Sequence, residues 1–166
     1  MCIRDRSVVY LCEHDKKGAM GLIINKAIKK NNITLKDSSS DIELNNYLEK
    51  NYLHIGGPVL TDRVLFLHTN NDISKSVPVS DEVSISGNIE QLNSIQKSKD
   101  VKSKLFLGHA GWDSGQLERE IENGDWLIQS TTSDFIFNLP PNQMWEYAAK
   151  SIGLDINSSL GTSGQA

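Results

Sequence analysis

The run from Phe106 to Ile121, FLGHAGWDSGQLEREI, sets an apolar β-prone segment against a charged one, with glycine at positions 108, 111 and 115. Such a sequence has to leave a strand and enter a helix within a few residues. Glycine permits that bend because it has no Cβ to exclude positive φ. A second corner is written at Gly56-Gly57-Pro58, where proline fixes the exit. A chain built around two such corners must mix strands with helices, which predicts an α/β (α+β) class: a single compact domain with a mixed β-sheet flanked by short helices.

The remaining pattern fills in that sheet. Ser7–His14 and Ala19–Asn25 read as strands joined by Asp15–Gly18 into a hairpin. Neither run alternates strictly, which predicts burial on both faces. Lys26–Asp41 reads as loop or weak helix, and Ile42–Lys50 as a short helix. Two strands flank GGPVLTDR, another covers Val83–Ser86, and a helix begins at Asn88 with Gln91 as its capping partner. KLFLGHAGW enters the glycine run as a strand and DWLIQS leaves it as another. PPNQMWEYAAKSIG reads as a closing helix, with Pro141 in its first turn and Trp145, Ala148, Ala149 and Ile152 as its apolar stripe. MCIRDR, residues 1–6, has neither signal-peptide nor strand pattern and reads as a foreign or truncated leader. The domain is expected over 7–160 and a flexible tail over 161–166.

Composition narrows the function classes. A chain of 166 residues buries roughly 70% of its unfolded surface without disulfides or metals. With 17 basic against 21 acidic residues the net charge is −4, and the basic residues are scattered, which disfavours nucleic acid as a partner. No apolar run approaches the ~20 residues of a membrane span. Cys2 and Cys12 are too few for a disulfide framework, which fits a reducing, cytoplasmic setting. No histidine or cysteine spacing suits a metal site, and no cofactor motif is present.

Within the glycine run, Asp113 is expected to cap a helix with Gln116 reaching back to its N–H. The free N–H groups there could hold an anion, but Asp113 and Glu118 oppose one and no lysine accompanies them, so a packing turn is the preferred reading. Glu118, Arg119, Glu120 and Glu122 read as a solvated face, and Trp112 and Trp126 as core anchors. Cys12 and His14 alternate onto one strand face, yet Cys12 reads as a small buried hydrophobe. Asn25 ends a strand and is expected to make a turn bond. Should a ligand or partner site exist, its candidates are Cys12, His14, Asn25, Gly56, Gly57, His109, Gly111 and Gln116.

The blocks RSVVYLCEHDKKGAMGLIIN, HIGGPV, FLHT and GHAGWDSGQLEREIENGDWL, followed by a late tryptophan helix, resemble the YqgE/AlgH family of bacterial proteins from about Arg6 to Ala166. The resemblance implies a compact mixed α/β domain in an uncharacterised family whose name suggests transcriptional regulation. It carries motif positions but no catalytic role onto His14, Gly18, Gly21, Asn25, Gly56, Gly57, Pro58, His68, Gly111, Trp112, Gly115, Gln116, Leu117, Glu118, Glu120 and Trp126. Ala27 stands where the family commonly has proline, and the strand it would place ahead of Ser7 is missing, which would leave a sheet edge unpaired. No basic recognition helix is written here. The expected function is a non-enzymatic regulatory or interaction domain with an unknown protein or small-molecule partner. The alternative is a thiol enzyme or redox sensor using Cys12.

Overall fold

The computed structural model describes residues 1–2, 5–28, 39–69, 72–87, 91–98 and 100–154. Its centre is one long strand, β8 (Ser103–Asp113), which contacts three others. Along one side β8 pairs antiparallel with β5 (Val59–His68). Along the other it pairs first in parallel with β4 (Leu53–Ile55), then antiparallel with β2 (Gly18–Ile23). The sheet continues outward from β2 to β1 (Val9–Asp15) and from β5 to β7 (Ser84–Ser86) and β6 (Val77–Pro78). A two-residue strand, β3 (Ala27–Ile28), pairs with β4. The sheet is therefore mixed, as the sequence predicts.

Alternation along β5 and β8 divides the core in two. Phe66 and Leu105 point to one face, where they pack with Leu53, Leu92 and Ile95 beneath α1 (Ser39–Lys50) and α2 (Gln91–Lys97). Leu67 and Phe106 point to the other, against Ile136, Met144, Trp145 and Ala148. Those four come from α4 (Ser133–Asn138) and α5 (Pro141–Ser151). Phe66, Leu67, Leu105 and Phe106 are fully buried, each contributing roughly 1.5–3 kcal/mol of transfer free energy.

The hairpin of β1 and β2 forms as expected, with Asp15 opposite Gly18. Its first strand is not buried on both faces: β1 is the sheet's outer strand and is largely exposed, because among the described residues no further strand pairs with it. β5 starts at Val59, earlier than expected, because residues 60–63 bulge between its pairs with His109 and Leu107. DWLIQS is not a strand; Trp126 makes only an isolated bridge to Cys2, and the chain then runs irregularly into α4, where Thr132 accepts from the Phe135 N–H. α5 starts at Pro141 as predicted, but Met144 replaces the partly exposed Ile152 in its stripe. The expected helix start at Asn88 and the tail from 161 lie outside the described residues.

Candidate functional site

The glycine motif builds two adjoining structures, a corner and a seam. At the corner β8 exchanges β4 for β2 as its neighbour, and Gly108 takes φ 66 to make the turn. Gly56 and Gly57 cross directly over it. The Gly56 N–H donates to Leu107 O at 2.8 Å, while its carbonyl accepts from the Ile23 N–H at 2.9 Å. A Cβ on Gly56 would lie 2.2 Å from Gly108 O, and one on Gly57 2.2 Å from the His109 carbonyl carbon. Two backbones can approach this closely only where the residue facing the other chain segment has no side chain. Gly111, by contrast, stays outside the left-handed region in mid-strand, with nothing nearer than 3.8 Å to its missing Cβ. It is not needed for the bend.

The seam joins β8 to α3 (Gln116–Glu122), which starts after Gly115 at φ 70. Asp113 does not cap this helix: Gly115 holds the cap position with no side-chain bond, so the local turn rather than a carboxylate sets the start. The expected reciprocal contact exists all the same, since the Asp113 N–H donates to Gln116 Oε1 at 3.0 Å. Gln116 Nε2 in turn donates to Glu120 Oε1 at 2.8 Å. The other oxygen, Glu120 Oε2, accepts both indole N–H groups, from Trp112 at 2.8 Å and from Trp126 at 2.7 Å. The two rings meet edge to face with centroids 5.6 Å apart. Burial raises the Glu120 pKa, but the bonds from Gln116, Trp126 and Trp112, with the Arg119 charge, outweigh it and hold the carboxyl below its ordinary value. Glu120 is thus a tryptophan-binding acceptor, not part of a solvated face. The signal was present in the sequence, because two largely buried indoles each require an acceptor.

The other expected residues are placed separately. His14 meets Glu118 at 2.7 Å on the surface, and hydrogen bonding to that ring holds the Glu118 carboxyl down. Asn25 clasps the preceding segment, accepting from the Val8 N–H at 2.9 Å and donating to Arg6 O at 2.8 Å. Cys12 packs against the core, and burial pushes its thiol up to about 12, which leaves no thiolate at neutral pH. Among the described residues no group of three or more His, Cys, Asp or Glu is arranged to hold a metal. Gly56, Gly57, His109 and Gly111 do come together, around the β5 bulge opposite His109. A cavity of about 220 Å³ opens between β1 and the seam, lined by Val9, Leu11, Trp112, Leu117, Trp126 and Phe135 among others; none of the eight candidates lines it.

Fold and site together define a single α+β domain, organised around a glycine corner and a carboxylate-bound tryptophan pair. The chain matches the AlgH-like family over residues 4–157 and belongs to that family. A UPF0301 protein of Thioalkalivibrio sulfidiphilus is 38% identical over 164 residues, spanning 96% of this chain and 87% of that relative. One from Buchnera aphidicola is 39% identical over 166 residues, with 93% and 87% covered. The solution structure of the AlgH protein from Pseudomonas aeruginosa is similar with a TM-score of 0.71 at 30% identity, covering 96% of this chain and 86% of its own. Among the described residues no helix is long and apolar enough to cross a membrane.

Proposed function

We propose that this chain is a non-enzymatic regulatory domain that acts by contacting another protein, and that any effect on transcription runs through such contact and not through DNA. One observation carries the reading. Leu60, at the crest of the β5 bulge, is 47% exposed and sits at φ 50. A non-glycine residue in that conformation costs about 1–3 kcal/mol, and such strain gathers at working surfaces. Exposed Val59 precedes it, with His109 opposite Val59 in the ladder. The polar groups of the neighbouring seam are already engaged with one another, which leaves the exposed bulge, where Val59 and Leu60 give an apolar patch beside Thr61, Asp62 and Arg63, to make the contact. The net charge of −4 supports a protein partner over a phosphate backbone.

The test compares wild type with Leu60→Asp, both verified as folded by thermal melting, in capture from bacterial lysate. Proteins held by wild type and lost by the variant, and rebinding saturably once purified, support the reading. Captured proteins indifferent to the substitution, or none at all, refute it.

A further inference from the structure

Towards the start of β8, two buried polar atoms stand without partners among the described residues. His54 is opposite Phe106 in the parallel β4–β8 ladder, and Lys104 lies two residues before Phe106, so all three share one face. The rings of His54 and Phe106 have centroids 5.1 Å apart. His54 is 3% exposed and Lys104 9%, yet among the described residues neither His54 Nε2 nor Lys104 Nζ has a hydrogen-bond partner. Buried polar atoms are seldom left so, because each unmade bond costs about 1–3 kcal/mol.

Both residues line a cavity of about 220 Å³, roofed by Phe137–Pro141 between α4 and α5. Among the described residues its lining contains Lys50 as well as Lys104 and His54, and no aspartate or glutamate. The charged side chains of that lining are thus both cationic. Phe137, Leu139 and Pro140 supply apolar wall. His54 Nδ1 faces Leu105 O at 3.2 Å; a carbonyl only accepts, so the ring proton sits on Nδ1 and Nε2 presents a lone pair.

We propose that this cavity binds a small hydroxycarboxylate, its carboxylate on Lys104 and its hydroxyl donating to His54 Nε2. The two vacant valences differ in kind, one a cationic donor and one a neutral acceptor. A ligand that fills both must carry an anion and a donor on a short apolar frame. Lys104 remains mainly cationic at pH 7, since burial lowers its pKa only to about 8. Burial and the Lys104 charge outweigh the backbone contacts of Leu105 and Tyr52 and hold His54 near 4, so its ring is neutral there. This site is independent of the Leu60 surface.

Isothermal titration of lactate, propionate and inorganic phosphate at pH 7 tests it on wild type, Lys104→Met and His54→Met, each shown to be folded by its melting curve. Lactate is expected to bind saturably and propionate, lacking the hydroxyl, about two- to tenfold more weakly. Lys104→Met should weaken both by about tenfold or more. His54→Met should bring lactate to the propionate affinity while leaving propionate unchanged. No saturable lactate binding by folded wild type, or unchanged affinity in Lys104→Met, would overturn the proposal. Phosphate binding tighter than lactate and indifferent to His54→Met would overturn the carboxylate assignment.

Discussion

Trp112 and Trp126, fourteen positions apart on β8 and beyond α3, donate their indole N–H groups to the same oxygen of Glu120, at 2.8 and 2.7 Å. One carboxylate thereby fixes the last turn of sheet, the helix and the returning chain. Glu120→Gln keeps an acceptor oxygen but sets its new N–H₂ against Gln116, and should cost about 1–3 kcal/mol in urea unfolding.

The same carboxylate makes a pH prediction. Its folded pKa lies below 4.5, so its stabilisation is complete above pH 4.5 and is lost as pH falls through the folded value. The stability difference between wild type and Glu120→Gln should therefore be constant above pH 5 and shrink below about 4.5, read by acid-denaturation curves of tryptophan fluorescence. A difference that is flat down to pH 3 contradicts this.

The glycines should separate by role. Gly57→Ala forces a methyl to 2.2 Å from the His109 carbonyl carbon at φ 155, and should abolish cooperative folding. Gly111→Ala meets nothing within 3.8 Å and should change stability by less than about 1 kcal/mol. Circular dichroism melts of the two variants give the comparison.

Lys104 should destabilise the fold below its unfolded pKa. Folding lowers that pKa from 10.5 to about 8, so the unfolded chain binds more protons and stability rises with pH between the two values. Lys104→Met should be more stable than wild type at pH 7 by about 1–3 kcal/mol, and the gap should close towards pH 10.5.

Burial of Cys12 predicts slow chemistry. In a Cys2→Ser background the native protein should react with a disulfide reagent far more slowly than the denatured chain, in proportion to its opening. Rapid native labelling would restore the thiol reading.

Much of this was legible because local chemistry decided it. The hairpin at Asp15–Gly18, the corner glycines and the start of α5 at Pro141 each follow from a residue whose backbone preference leaves few alternatives. DWLIQS misled because strand-like composition cannot tell whether a partner strand lies alongside; among the described residues Met1 and Cys2 bridge it without forming one. Glu120 was hidden for a related reason: a charged residue amid Glu118, Arg119 and Glu122 looks solvated until the two indoles converge on it from distant positions. Lys104 was written into an otherwise apolar strand, KLFL, where a central lysine is itself anomalous, but only the parallel register with β4 brings His54 beside it.

The account stands on the polar groups of the tryptophan motif being committed to one another inside the fold. The most direct measurement is an NMR titration of the Trp112 and Trp126 indole N–H signals in wild type and Glu120→Gln. Both signals should be protected from solvent exchange and should shift together at a single midpoint below 4.5, with the shared step absent from the variant. Indoles that exchange freely, or that titrate independently of each other and of Glu120, would contradict it.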